Sequence, residues 1–430
     1  MKRCAAVVLT ALLLTGCHAA DSEDHVIDIS RIGIPDPSQE TTEPPFRATS
    51  VRFAAVGDNL VYSYVYQTAQ EHNNSKKRDY DFHYCYENIA DQIESADLAF
   101  VNLESMICGE GYEVTGTKMN FNSPVELGND LIDIGFDVFN IGNNHMLDKG
   151  MNAFSASLEY WKEQTEDHDD KIAVIGGYQD EEDMQNYRIL RSRGLDIGFL
   201  GYTQHTNGYH LPEDSELQIV YTENEELMQK QIQELSRQTD CVIVSAHWGE
   251  EDTHEVSESI RELAQKFIDW GADVVIGTGS HTLQTMEYLT RADGSQGFVF
   301  YSLGNFISGQ TDNFNMIGGL GNFEICRDTE GVITVENVTL TPLITHYDQD
   351  ITDVRVYPYE AYTDKLIEKH YVPYALGGSA KTWDRETIDT IIAQNVPAQF
   401  LSTPIAEPTE SEEVENEAVK AAESEKTVEI

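Results

Sequence analysis

From residue 51 the chain alternates short apolar runs with amphipathic stretches. The apolar runs, mostly of four to six residues, fall at 51–56, 98–102, 138–141, 172–175, 197–200, 242–245, 274–276 and 298–302. They are nearly continuous rather than alternating, as in strands covered on both faces. Between them the spacing predicts helices over 86–95, 124–134, 152–165, 224–239 and 257–270. Gly135 and Gly271 stand where a left-handed residue would close two of these. Strand and helix in alternation argue for a layered α/β body. Over 321–343 the pattern changes to two β runs around Asp328-Thr329-Glu330-Gly331, which reads as a hairpin. The stretch 351–401 is weaker, with a helix expected over 385–394, and no internal repeat is visible.

The two ends follow different rules. Lys2 and Arg3 precede an apolar run over 5–14. That run falls short of the roughly 20 residues a spanning helix needs and has the length of a signal-peptide core. It ends in Leu14-Thr15-Gly16-Cys17, which matches the lipobox of bacterial lipoproteins. Residues 1–16 are therefore read as a leader and Cys17 as the lipidated residue. Two or more acyl chains, each buried CH₂ contributing about 0.8 kcal/mol, would make a stable anchor. Residues 17–50 are rich in Asp, Glu, Pro, Ser and Thr without apolar period, a spacer by composition. Residues 403–430 hold nine Glu and two Lys with no aromatic residue, an acidic tail. The expected division of the rest is a main domain over 51–347 and a small C-terminal extension over 348–402. The expected location is the outer face of the cell membrane.

The formal charge of the 430-residue chain is −47. The leader carries +2, the spacer −5 and the tail −7, which leaves −37 on the central segment. Phosphate binding needs clustered Lys and Arg, so nucleic acid is excluded as a partner. Of the six cysteines, Cys85, Cys108, Cys241 and Cys326 remain after the leader and the lipid site, and none is spaced as a zinc knuckle. Cys241 and Cys326 lie in strand-like runs and read as buried thiols. Cys85 and Cys108 could pair in an exported protein.

Polar residues with ligand or catalytic chemistry follow strand after strand. They are Asp58 in Gly57-Asp58, Glu104 in Asn102-Leu103-Glu104, Asn143-Asn144-His145, His205, His247-Trp248-Gly249, Gly279-Ser280-His281 and Asn305 in Ser302-Leu303-Gly304-Asn305-Phe306. Each alone is as well explained by a turn or a partly buried histidine. As an ordered set at strand ends they predict one shared site, because α/β sheets bind ligands at the carboxyl ends of their strands. Asp, Glu, Asn and His without thiolate suit a divalent ion of the Mn, Fe, Zn or Mg type.

The series Gly57-Asp58, Asn102-Leu103-Glu104, Asn143-Asn144-His145 with Asp148 and Gly150, His247-Trp248-Gly249, Gly279-Ser280-His281 with Gln284, and Tyr301 to Phe306 resembles the CapA-type capsule (poly-γ-glutamate) synthesis family. The resemblance covers about 52–308. That family is similar in fold to calcineurin-like metallophosphatases, so it implies a layered β-sandwich flanked by helices. It also implies roles. Asp58, Glu104, Asn144, His247 and His281 would hold the metal. His145, oriented by Asp148, would steady a leaving oxygen or an oxyanion. Asn143, His205, Trp248 and Asn305 would contact substrate. Two positions depart from the metallophosphatase pattern: Leu60 and Gly279 stand where histidines are expected, which points to a reduced site, one-metal or metal-poor. The expected function is capsule polymer assembly, export or attachment, with capsule-synthesis membrane proteins and an anionic polymer as partners. The alternative is a metal-dependent hydrolase.

Overall fold

The computed structural model describes residues 46–117, 120–169 and 171–405. The leader, Cys17, most of the spacer and nearly all of the acidic tail lie outside the described residues. In chain order the first elements are β1 (Thr49–Asn59), α1 (Ser63–Glu71), α2 (His83–Tyr86), α3 (Ala90–Glu94), β2 (Leu98–Asn102), β3 (Thr115–Thr117), β4 (Asn120–Asn122), α4 (Val125–Ile134) and β5 (Val138–Asn140). Then come α5 (Met151–Asp167), β6 (Ala173–Ile175), α6 (Glu181–Gln185), β7 (Arg188–Ser192), β8 (Leu195–Thr203), α7 (Glu225–Leu235), β9 (Cys241–His247), α8 (Glu258–Trp270) and β10 (Val274–Thr278). The last are β11 (Met286–Thr290), β12 (Gln296–Phe300), β13 (Asn305–Ile307), β14 (Ile317–Arg327), β15 (Ile333–Asp348), β16 (Thr352–Pro358), α9 (Asp364–Lys369) and α10 (Arg385–Asn395).

Two sheets result. One runs β16-β15-β14-β1-β2-β5-β6 with β13 beside the end of β1, and the other runs β11-β12-β10-β9-β8-β7. Their centres are parallel: β1, β2, β5 and β6 in the first, β8, β9, β10 and β12 in the second. Antiparallel strands β14, β15 and β16 extend one margin of the first sheet, and β7 and β11 flank the second on both sides.

Side-chain alternation shows how the second sheet is covered. Ile243 of β9, Val274 and Ile276 of β10, and Phe298 of β12 share one buried core with Phe53 and Val56 of β1. Their neighbours Val242, Val244, Val275 and Val299 face the other way and share a second core with Ile232 of α7 and Phe267 of α8. A strand covered on both faces is apolar throughout because each residue lands in one core or the other. Phe53 joins the sheets directly, with its ring 6.2 Å from Phe199 of β8 and 4.9 Å from Phe323 of β14. Burying such a ring contributes roughly 1.5–3 kcal/mol. The architecture is the α/β sandwich of facing sheets with flanking helices.

Local signals explain several helix ends. Ser257 caps α8 by accepting from Ile260 N at 3.4 Å, and Gly271 closes it at φ +119. Gly135 closes α4 at φ +111. Asn224 caps α7, which ends at Leu235 rather than 239. The helix expected over 86–95 is broken into α2 and α3. Asn88 there donates its side-chain amide to Val356 O at 3.1 Å, and Ile89 leaves helical geometry. The hairpin turn forms at the expected place, where Asp328 Oδ1 accepts from the Glu330 and Val332 amides.

The segment 348–402 joins the first sheet: β16 pairs with β15, and Leu401 bridges to Leu340. Cys85 and Cys108 are buried free thiols, not a disulfide. Cys241 is buried as expected, but Cys326 is only half-buried. Among the described residues no helix is long and apolar enough to cross a membrane.

Candidate metal centre

The site forms where the parallel strands of both sheets end. Register pairs Asp58 with Asn102 and Asn102 with Asn140. Paired residues on parallel strands project from the same face, so these three form a buried polar row. The row is stitched by hydrogen bonds. Asn140 Nδ2 donates to Asn102 Oδ1 at 2.8 Å, and Asn102 Nδ2 donates to Asp58 Oδ1 at 2.7 Å. On the second sheet, Thr203, His247 and Thr278 pair across β8, β9 and β10 at the same level.

Glu104, two residues past β2, sits at the centre. Its Oε1 lies 3.7 Å from His247 Nε2, 3.7 Å from His281 Nε2 and 3.9 Å from His145 Nε2. Each imidazole is anchored through its other nitrogen. His281 Nδ1 meets Asp58 Oδ2 at 3.1 Å, His247 Nδ1 meets Thr278 Oγ1 at 3.1 Å, and His145 Nδ1 meets Asp148 Oδ2 at 2.8 Å. Asp148 Oδ2 also accepts from the Phe121 amide at 2.7 Å, which holds it in place. His281 adopts φ +59, an uncommon conformation for a side-chain-bearing residue. The loop also turns the Gly279 amide toward Asp58 Oδ2 at 3.2 Å.

Electrostatics follow from burial. Glu104 is fully buried, and both carboxylate oxygens lack a hydrogen bond. Burial pushes its pKa well above the ordinary value; Asp58, Glu251 and Asp148 add to the rise, and His281 opposes it. Burial also raises Asp58, but the hydrogen bond and charge of His281, helped by His247 and Asn102, hold it below its ordinary value. Burial drives His247 down to about 3. Burial pulls His281 down too, but Glu104 and Asp58 raise it to about 10.

Asp58, Glu104, Asn144, His145, Asp148, His247 and His281 are thus all buried, and each pair of partners just described is in contact. Asn144 Oδ1 is buried without a partner. Asn143 supports the loop, donating to Leu103 O at 2.8 Å and accepting from the His145 amide at 3.1 Å. His205 is exposed at the end of β8. Trp248 does not line the site. Its indole lies in the second core, parallel to Phe267 at 5.8 Å, and donates to Tyr301 O at 3.0 Å. Asn305 pairs with Asp58 across β13 and β1. Sequence reasoning passed over Asn102 and Asn140 as side chains. Their signal was position, since each is the last residue of a parallel strand.

The chain matches the family of the bacterial capsule synthesis protein PGA_cap over residues 52–310. It belongs to that family. It is 26% identical over 238 residues to the capsule biosynthesis protein CapA of Bacillus anthracis, covering 54% of this chain and 55% of that one. It is 26% identical over 257 residues to the PGA biosynthesis protein CapA of Bacillus subtilis (strain 168), covering 59% of this chain and 62% of that one. The matches thus span little more than half the length of these relatives. Among solved structures, a candidate 5′-nucleotidase of Staphylococcus aureus aligns with TM-score 0.42 at 17% identity, covering 68% of this chain and 54% of that one.

The residues of this capsule-synthesis family member fit a divalent ion. Asp58, Glu104 and His247 each offer a ligand atom within 4.8 Å of one another. A buried carboxylate with no donor is costly, and a cation relieves that cost. Leu60 and Gly279 remove two further donors. Leu60 is buried, its amide bonded to Ile307 O at 3.0 Å. Gly279 sits at φ +104, where an added Cβ would stand 3.1 Å from His247 Nε2 and from Trp248 N and O. A side chain is therefore disfavoured there by both backbone and space.

Proposed function

We propose that this protein acts in capsule polymer assembly, export or attachment through a divalent metal held by Asp58, Glu104, Asn144, His247 and His281, while anchored by Cys17 to the outer face of the membrane. The observation that carries the metal reading is Glu104, a buried carboxylate without a hydrogen bond among three imidazole Nε2 atoms. Carboxylates of an anionic polymer would be repelled by a body of this charge, and a bound cation supplies the attraction that the protein surface lacks. Deleting the gene and measuring surface polymer tests the capsule role. Unchanged amount and retention of polymer would overturn it.

A second reading, a metal-dependent hydrolase, is favoured by the His145–Asp148 pair. Asp148 orients the ring so that Nε2 faces the site, the arrangement of a proton donor or oxyanion partner. Asn143 fixes the His145 backbone, and the Phe121 ring packs edge-on against the imidazole at 4.6 Å. A metal in such a site polarises an attacked group or lowers the pKa of a bound water. Turnover of phosphodiesters by wild type but not by His145→Ala would support this reading. Turnover equal to background in both would sink it.

A further inference from the structure

The buried polar row at the strand ends has a fourth member. Register pairs Asn305 of β13 with Asp58 of β1, so its side chain projects from the same face as Asp58 and Asn102. Asn305 is 1% exposed. Its Nδ2 donates to Gln310 Oε1 at 2.7 Å and to Asn315 O at 3.0 Å. Its Oδ1 is buried and has no hydrogen-bond partner. Turning the amide over would lose both donated bonds, so the orientation is set by the network. Asn315 extends that network to the metal loop, donating to His281 O at 3.2 Å and to Asp252 Oδ1 at 2.9 Å. A buried carbonyl oxygen without a donor is costly, and packing alone gives no reason to hold it so.

Resting on the metal-centre reading, we propose that Asn305 Oδ1 is itself a ligand of the ion. It would supply a neutral oxygen on the flank of Asp58 in a chain that has Leu60 and Gly279 in place of two histidines. The donor set then becomes Asp58, Glu104, Asn144 and Asn305 oxygens with His247 and His281 nitrogens. Such a set is oxygen-rich and suits five or six coordination rather than the tetrahedral nitrogen and sulfur sites of structural zinc.

The test uses the full chain stripped of metal and titrated with Co²⁺, whose visible absorption is weak in five or six coordination and intense in tetrahedral coordination. Wild type is expected to bind Co²⁺ with weak absorption. Asn305→Leu is expected to lose at least about tenfold in affinity and to change the spectrum. Asn305→Asp, which keeps an oxygen, should stay within a few-fold of wild type. The metal-free melting temperature of each variant separates lost folding from lost ligation, and Asn305→Ala replaces the leucine variant if that one does not fold. Wild-type affinity and spectrum in the variant lacking Oδ1 would overturn the proposal while leaving the metal centre standing. Failure of the wild type itself to bind Co²⁺ would overturn the metal centre and this ligand with it.

Discussion

Two groups of buried histidines occupy this molecule, and they differ in what their second nitrogen does. In the C-terminal part, His346 Nδ1 meets Tyr362 OH at 2.8 Å and its Nε2 meets Asp348 Oδ1 at 3.1 Å. His370 Nε2 meets Thr345 O at 3.0 Å, and its Nδ1 accepts from the Val372 amide at 3.0 Å. Every imidazole nitrogen there has a partner. At the strand ends, His145, His247 and His281 are each tied by Nδ1, while Nε2 faces an oxygen of Glu104 too far away for a hydrogen bond. Equal burial therefore carries different meanings. The first group is polar core; the second is a half-satisfied set that a cation would complete.

Substitutions break this comparison most sharply. Glu104→Gln is expected to reduce metal affinity by more than the roughly 100-fold reached by changes around a site, with the metal-free melting temperature unchanged or higher. Calorimetric metal titration and thermal melts in chelator measure both. His370→Leu should do the reverse. It leaves Thr345 O and the Val372 amide unpaired and costs about 2–3 kcal/mol of stability, with metal content unchanged by elemental analysis. Asn102→Ala removes the bond that orients Asp58 and should weaken metal binding about 10- to 100-fold.

The smallest effect is a pH slope. His281 has its folded pKa raised to about 10 from an ordinary 6.5. In metal-free protein its stabilising contribution is full below 6.5 and is lost as pH rises through about 10. The melting-temperature difference between wild type and His281→Gln in chelator should shrink across that window. With metal the sign reverses, because the ion needs the unprotonated nitrogen, so metal stabilisation should grow with pH over the same range.

Much of the candidate site was legible because its polar residues follow strands. Asp58, Glu104, Asn144, His145, His247 and His281 each trail an apolar run, and parallel strands gather such residues at one edge. Trp248 was misplaced for a physical reason. Along β9, Cys241 and Ile243 face the core between the sheets while Val242, Val244 and Ala246 face the helices. His247 follows the first set and Trp248 the second, and only knowledge that two cores exist sorts them. β13 was missed because its partner β1 is distant in sequence, and β16, which follows its partner β15 directly, because its seven residues mix charged with apolar positions too briefly to show a period. The role of Asn102 was hidden because a strand-ending asparagine looks like turn chemistry until its cross-strand partner is known.

Metal content and melting temperature of the purified full chain, before and after chelation, decide whether the Glu104 centre holds a divalent ion. About one ion per chain is expected, with a melting temperature that falls on chelation and recovers on reloading and a stabilisation of about 2.7 kcal/mol when free metal is about 100 times its dissociation constant. A chain that carries no metal and melts at the same temperature with and without excess Mn²⁺, Zn²⁺, Fe²⁺ or Mg²⁺ would contradict it.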